Sequence, residues 1–350
     1  MDGKKVTLRD VALKAGLSVN TISRALKDKE DIAPATRSLI KELAKEMGYV
    51  GNSIAGSLRS GQTKTIAVIV SDVANPHFGI MVKDIEKAAR KHNYTIFVIN
   101  TEDDYDMEER AIYTAIGKNV DAIIICPSQR GIDNIRFLQK NNTPFVLIGR
   151  RFEDEPEFDY VVCDDEKGGY LATKHLIESG HEKILFLNGP NRISSAKERL
   201  KGYRRAHEDT GIPIDENLII EVEPTAGDAR HIVKKLIEEK SPFTGIFAFN
   251  DVIAWEAAFV LKKYGFRIPQ DCAVVGFDNI QSRLFIPFPL SSISNSKGKM
   301  SRRAVDIVLY RINNPEMKRT FHEVIDTTLI IRESSSQHFG ERLKGSNHEQ

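Results

Sequence analysis

The sequence predicts an all-α helix-turn-helix headpiece followed by an α/β core built on parallel sheets, and three observations carry that prediction. Residues 7–26 hold two short amphipathic helical patterns separated by Gly16. Residues 49–64 are rich in Gly and Ser. From Thr65 onward, apolar strand runs alternate with helical segments.

In the first segment Leu8, Val11, Ala12 and Ala15 recur at i, i+3, i+4 and i+7, so they share one helical face. Thr7 stands where an N-cap belongs, with Asp10 three residues on as an imperfect capping box. Gly16 supplies the permissive backbone for the turn, and Ser18 can cap the second helix. On that helix Ile22, Ala25 and Leu26 point inward, whereas Asn20, Ser23, Arg24 and Lys27 share the opposite face. Asn and Arg make bidentate contacts to adenine and guanine edges in the major groove, so the pattern reads as a helix-turn-helix with a DNA-facing second helix. A third helix follows, with Pro34 near its first turn, Leu39, Ile40, Leu43, Ala44 and Met47 as its buried stripe, and Gly48 at its end. Charge agrees. Residues 1–62 hold 11 Lys+Arg against 7 Asp+Glu, a net of +4, while the remainder holds 39 against 42, a net of −3. Positive charge collects where phosphates would be met.

Residues 49–64 read by themselves as a plain tether. The alternative rests on Ile54, Ala55 and Leu58, which fall on one helical face. A helix so short, containing Gly56, is marginal in water and would form only against a partner. Minor-groove DNA is one such partner, because apolar side chains wedge between base steps.

In the core, strands are expected at Ile66–Val70, Thr95–Ile99, Ala122–Cys126, Phe145–Ile148, Tyr160–Cys163, Ile184–Leu187, Leu218–Val222, Gly245–Phe249 and Ala273–Phe277. Helical patterns fill most gaps, for example Ile80–His92, Gly168–Ser179, Ala196–Thr210, Asp228–Glu239 and Asp251–Tyr264. The alternation argues for parallel sheets covered on both faces, arranged as one large sheet or as two lobes. Ligands of such folds sit at the carboxyl ends of the strands. Polar residues close those ends here: Ser71 and Asp72, Gly149 and Arg150, Gly189 and Pro190, Asn250 and Asp251, Asp278 and Asn279. Singly each suits a turn; their repetition across strands marks a polar pocket.

At 350 residues the chain has room for two or three domains, and its 41% hydrophobic and 28% charged composition is that of a soluble globular protein. It carries no apolar run long enough to span a membrane and no signal-peptide pattern at its start. Cys126, Cys163 and Cys272 are far apart and sit in or beside apolar strand patterns, which reads as buried free thiols in a cytoplasmic protein. GxGxxG, P-loop, GxSxG and HExxH motifs are absent, so neither a cofactor, a metal nor a catalytic set is expected. His175 and His181 read as helix-end residues, and Asp164–Glu166 with Gly168 and Gly169 as a loop capping the next helix.

Over nearly its full length the chain resembles the LacI/GalR family of bacterial transcriptional regulators. The residues that carry the resemblance are the motif of positions 6–26, Met47-Gly48-Tyr49 with Asn52, Ala55, Ser57 and Leu58, and Asn75-Pro76 with Phe78. They continue with Gly168-Gly169, His175-Leu176-Ile177 with Gly180-His181, Asn188-Gly189-Pro190, Arg199 with Gly202-Tyr203, Phe249-Asn250-Asp251, Val275-Gly276-Phe277-Asp278 and Thr328–Glu333. The resemblance implies a headpiece, a hinge helix and two lobes like those of periplasmic sugar-binding proteins, each a doubly wound parallel sheet. It places the headpiece at 1–50 and the hinge and linker at 51–64. The N-terminal lobe is then 65–161 plus about 291–321, and the C-terminal lobe 162–290 plus about 322–333, with crossings near Val161, Ser291 and Phe321. The tail, 334–350, is polar and lacks the leucine heptad of tetrameric members, which implies a homodimer.

By position, the resemblance puts Thr7, Leu8, Ser18, Val19, Asn20, Thr21, Ser23 and Arg24 at DNA, together with Asn52, Ala55 and the minor-groove Leu58 of the hinge. The family's usual Pro before the hinge is Gly51 and its usual Arg inside it is Gly56, so the free hinge helix should be weak. For the effector it points to His77, Phe78, Ser195, Arg199, Asn250 and Asp278. Where some members carry an acid this chain has Gly149 followed by Arg150, whose charge would fit an anionic sugar derivative, the alternative being that Arg150 faces solvent; Val222 stands about where several carry an aromatic. Expected is a ligand-responsive DNA-binding repressor of the bacterial cytoplasm and nucleoid, binding a pseudo-palindromic operator as a dimer. Its effector is a small molecule, a sugar or sugar derivative. The rival readings are a solute-binding protein without a DNA role and a sugar-processing enzyme.

Overall fold

The computed structural model describes residues 5–50, 61–223 and 227–336, and the chain divides into two units, Met1–Thr63 and Lys64–Gln350. The expected hinge, with Asn52, Ala55, Gly56 and Leu58, lies outside the described residues.

In the first unit the helices are α1 (Leu8–Ala15), α2 (Val19–Leu26) and α3 (Pro34–Glu46). The capping box closes fully: Asp10 Oδ2 accepts from the Thr7 amide at 2.8 Å, and Thr7 Oγ1 accepts from the Asp10 amide at 3.4 Å. The Thr7 hydroxyl also donates to Asp10 at 2.7 Å, which draws in a side chain one methylene shorter than Glu. At α2, Ser18 Oγ accepts from the Thr21 amide at 3.1 Å. Val11, Ala12, Ile22, Ala25, Ile40 and Ala44 form the buried core. Full burial of Ile22 alone contributes about 1.5–3 kcal/mol, a large share for so small a unit. One expectation is corrected. Leu39 is 65% exposed, because Ile40 and Ala44 take the inward positions and Leu39 lies about 100° round the axis from Ile40.

The second unit has two lobes. Through the first run β1 (Thr65–Val70), α4 (Pro76–Arg90), β2 (Thr95–Asn100), α5 (Tyr105–Gly117), β3 (Ala122–Ile125), α6 (Asp133–Lys140), β4 (Phe145–Ile148) and β5 (Tyr160–Cys163). Through the second run α7 (Asp165–Glu178), β6 (Ile184–Asn188), α8 (Ser194–Thr210), β7 (Ile219–Glu221), α9 (Asp228–Glu238), β8 (Gly245–Ala248), α10 (Asp251–Lys263), β9 (Ala273–Phe277) and β10 (Ser291–Ser294). The chain then returns to the first lobe with α11 (Lys297–Asn313) and β11 (His322–Ile325), and to the second with β12 (Thr328–Ile330).

Strand order is β11-β5-β4-β3-β1-β2 in one sheet and β12-β10-β9-β8-β6-β7 in the other. Among the described residues every pairing is parallel except β10 with β12. Helices cover both faces, so Ile66–Val70 and Ala122–Ile125 are buried at every position. The order reverses beside β1 in one lobe and beside β6 in the other, and a ligand crevice is expected outside the carboxyl ends at such points. The crossings fall a few residues later than expected, around Asp164, Asn295–Ser296 and Asp326–Thr327. Strand 291–294 therefore belongs to the second sheet and 322–325 to the first, because each strand completes its ladder before the chain leaves its lobe. Among the described residues no helix is long and apolar enough to cross a membrane.

A further correction concerns Asp164–Gly169. Asp164 caps α7, accepting from the Lys167 amide at 2.9 Å, and the helix begins at Asp165 rather than at Gly168, so Asp165 and Glu166 belong to its first turn instead of to a loop. The role of Gly168 and Gly169 is close approach. A Cβ on Gly169 would come within 2.9 Å of Arg199 Cα, and one on Gly202 within 2.5 Å of the Tyr170 amide nitrogen. Two helices thus touch through backbone, which sets the depth at which Arg199 sits.

Candidate functional site

On the headpiece, Val19 is 42% exposed, Asn20 and Arg24 are exposed, and Ser23 is half-buried on the same side of α2. Thr7, Ser18 and Thr21 spend their hydroxyls on caps: Thr7 on Asp10, Ser18 and Thr21 on each other at 2.8 Å. Leu8 packs against the core. The helix-turn-helix therefore presents one polar face, with the amides at the starts of α1 and α2 beside it.

In the second unit, a cavity of about 320 Å³ opens between the carboxyl ends of both sheets. His77, Phe78, Arg150, Ser195, Arg199, Asn250 and Asp278 all line it. They come from five separate stretches: Arg150, Asn250 and Asp278 follow strand ends, His77 and Phe78 open α4, and Ser195 opens α8 with Arg199 one turn further on.

Arg199 is buried on α8, its guanidinium stacked between Phe277 at 3.5 Å and Phe249 at 4.4 Å. Nε donates to Asp165 Oδ1 at 2.8 Å, Nη2 lies 2.8 Å from the same oxygen, and Nη1 donates to the Phe249 carbonyl. Three of the five N–H groups are thus committed among the described residues, and the other two have no partner there. Burial raises the Asp165 carboxyl above its ordinary range even with Arg199 beside it. Asp278 follows β9 with φ 107°, a region seldom adopted by a residue with a side chain. Its Oδ1 accepts from Asn295 at 2.9 Å and lies 3.1 Å from His77 Nδ1, at an angle that makes no hydrogen bond. Burial alone would raise the Asp278 carboxyl, but His77, Lys297 and Arg199 together hold it below its ordinary value. Asn250 caps α10 with its Oδ1, and among the described residues its amide N–H groups are uncommitted. His77 and Phe78 meet edge to face at 5.0 Å.

Arg150 is where the sequence reading needs correction. Gly149, at φ 76°, turns the chain at the end of β4, and Arg150 enters the cavity wall 6% exposed. It is no free cation. Nη1 donates to Asp103 Oδ1 at 2.5 Å and to the Pro127 carbonyl at 2.9 Å. Burial alone would weaken its hold on the proton, but the surrounding negative groups, Asp103 among them, raise its pKa instead. Across the whole lining, four carboxylates (Asp72, Glu102, Asp103, Asp278) face two guanidiniums. Asp72 and Glu102 have no charged partner among the described residues. Nor is Val222 at the cavity wall; it is buried in the second lobe's core, and the aromatic lining comes from Phe78 and Phe249.

Glu102 and Asp103 escaped the sequence reading. They follow β2 with φ 51° and 57°, and only their place at a strand's carboxyl end hinted at the site. Asp103 also reaches Arg192 of the other lobe at 3.3 Å. Further pairs join the lobes: Arg151 with Glu198 at 2.7 Å and Arg283 with Asp84 at 3.2 Å. Cys126 lines the cavity, and burial raises its thiol pKa.

Comparison with known proteins agrees with this geometry. Residues 7–52 match the family model "Bacterial regulatory proteins, lacI family", and residues 63–337 match "Periplasmic binding proteins and sugar binding domain of LacI family". The chain is 33% identical over 337 residues to the HTH-type transcriptional regulator DegA of Bacillus subtilis, covering 95% of this chain and 98% of DegA. It is 32% identical over 320 residues to the HTH-type transcriptional repressor PurR of Aliivibrio fischeri, covering 91% and 95%. Among solved structures, the transcriptional regulator CelR–cellobiose complex superposes with a TM-score of 0.71 at 28% identity, covering 94% of this chain and all of CelR. These relatives are regulators rather than enzymes. The chain belongs to the lacI family of bacterial regulatory proteins and is a ligand-responsive, DNA-binding regulator of transcription.

Proposed function

We propose that this regulator is a repressor that binds a pseudo-palindromic operator as a homodimer and responds to a neutral, polyhydroxylated effector of sugar size. Base edges are read by Val19, Asn20 and Arg24. The cap residues Thr7, Ser18 and Thr21, with Leu8 and Ser23, seat the helix starts against phosphates. Asn52, Ala55 and Leu58 of the hinge complete the DNA contact.

The observation that carries the effector class is the charge balance of the cavity. Arg199 is matched by Asp165 and Arg150 by Asp103, while Asp72 and Glu102 stay unpaired. An added phosphate or carboxylate would meet excess negative charge, whereas hydroxyl groups can donate to Asp278 and accept from Arg199 and Asn250. Phe78 and Phe249 offer apolar faces to a sugar ring. Ligand bound between the lobes favours one lobe arrangement over another, and operator affinity changes by the difference in ligand affinity between the two states.

The test is a mobility-shift assay with the full-length chain and palindromic DNA at about 100 mM salt, run with neutral sugars and with their phosphorylated forms. Sequence-selective binding that changes only with neutral sugars supports the reading. A response to phosphorylated forms alone refutes the effector class, and no selective DNA binding under any condition refutes the whole proposal.

A further inference from the structure

The residue that would read DNA from the last turn of α2 is held by an acid outside that helix. Arg24 Nε donates to Asp31 Oδ2 at 2.8 Å, and Nη2 lies 2.7 Å from the same oxygen. Asp31 stands in the turn between α2 and α3, and that turn is itself fixed. The amides of Asp28 and Lys29 donate back to the Ala25 and Arg24 carbonyls at 3.1 Å each, and the Ile32 amide donates to the Lys29 carbonyl at 3.2 Å. Ile32 packs against the headpiece core. Asp31 is thus a carboxylate on a braced loop.

A guanidinium is a planar fork with distinct edges. Asp31 occupies the Nε–Nη2 edge, and among the described residues nothing else engages Arg24. The edge formed by Nη1 and the outer N–H of Nη2 stays open, and two N–H groups side by side match O6 and N7 of guanine. We propose that Asp31 is a positioning residue for base readout: it grips Arg24 by one edge and leaves the opposite edge set for guanine. This inference rests on the reading of α2 as the base-contacting helix.

The proposal has an unusual signature because Asp31 is itself negative. Its carboxylate opposes the phosphates and weakens binding to DNA of any sequence, while the orientation it imposes strengthens discrimination at one base pair. Neutralising it therefore moves the two quantities in opposite directions. Asp28 is the internal control. It lies in the same turn, pairs with Lys41 at 2.6 and 2.7 Å, and is exposed like Asp31, but touches no residue of the reading face.

The experiment uses the full-length chain and a duplex selected from a random palindromic library, plus its single-base-pair variants. Affinities are measured by fluorescence anisotropy at fixed salt for wild type, Arg24→Ala, Asp31→Asn and Asp28→Asn. The expected result is that Arg24→Ala relaxes discrimination at particular base pairs. Asp31→Asn should then relax the same base pairs by up to about fivefold, the ceiling set by an exposed ion pair. Asp31→Asn should also raise affinity for unrelated DNA, with an unchanged salt slope because no phosphate contact is lost. Asp28→Asn should raise affinity for all sequences alike and leave discrimination intact. If Asp31→Asn behaves as Asp28→Asn does, or sharpens discrimination, the positioning role is wrong while the DNA-reading role of Arg24 stands. If Arg24→Ala relaxes no base pair, the base-contact assignment falls and this inference with it. Unchanged headpiece melting in all three variants separates these outcomes from misfolding.

Discussion

Replacing Arg199 by Met tests whether this side chain serves the effector, the fold, or both. Met keeps an apolar stem between Phe249 and Phe277 and removes only the charge and the donors. What it leaves behind is Asp165, 1% exposed, whose Oδ1 has lost Nε and Nη2 at 2.8 Å each. Removing one partner of a buried ion pair costs about 3–5 kcal/mol, because the surviving charge stays in a medium that cannot solvate it. Asp165 has an escape through protonation. Burial already raises its pKa in the native state, and loss of Arg199 raises it further. A folded-state pKa above the unfolded value gives stability that is present below about pH 4 and lost as pH rises through the folded pKa. The gap between Arg199→Met and wild type should therefore widen from about pH 5.5 to about pH 8. Urea denaturation followed by circular dichroism at both pH values measures it. Arg199→Met with Asp165→Asn should recover most of the stability and none of the sugar-induced thermal shift. A gap of equal size at both pH values, or a double variant no more stable than the single one, would refute the reasoning.

Gly202→Ala should cost upwards of about 3 kcal/mol, since the new methyl meets the Tyr170 amide and the Glu166 carbonyl, backbone that cannot rotate aside. A melting temperature within about 2 °C of wild type would show that α7 and α8 have room the structure does not give them. Asp251, at the start of α10, accepts from Ser292 at 2.5 Å and the Ile280 amide at 2.7 Å, and burial with Asp278 nearby pushes its pKa up to about 7. The stability tied to its neutral form is lost as pH rises through about 7, so Asp251→Asn should gain on wild type between about pH 5 and pH 8. Denaturation midpoints that track in parallel across that range would count against a raised Asp251. Asp103→Asn leaves Arg150 uncompensated in the cavity wall, so thermal shifts with phosphorylated sugars should grow relative to neutral ones; an unaltered ratio would mean that Asp103 does not set the charge preference.

Much of the fold was legible because its signals are local. The period of Leu8, Val11, Ala12 and Ala15, the apolar run Ile66–Val70 and the caps at Thr7, Ser18 and Asn250 are written within a few residues of where they act. Leu39 misled because a stripe of apolar residues is wider than the face a three-helix core can accept. Helix α11 lies beyond the last strand of the alternation read from sequence, and the crossings shifted because strand ends depend on partners far along the chain.

The sequence by itself determined that the chain opens with a helix-turn-helix, that its core alternates parallel strands with helices, and that Arg150, Asn250 and Asp278 stand at strand ends. Tertiary structure alone decided what those groups are free to do. Arg150 looked like a spare positive charge until Asp103, 47 positions away, was found bonded to it. Asp165 looked like a cap until it proved to be the buried partner of Arg199, 34 positions on. Charge type is a property of one residue, but available charge is a property of the pair, and which residues pair is set by how the sheets bring their ends together.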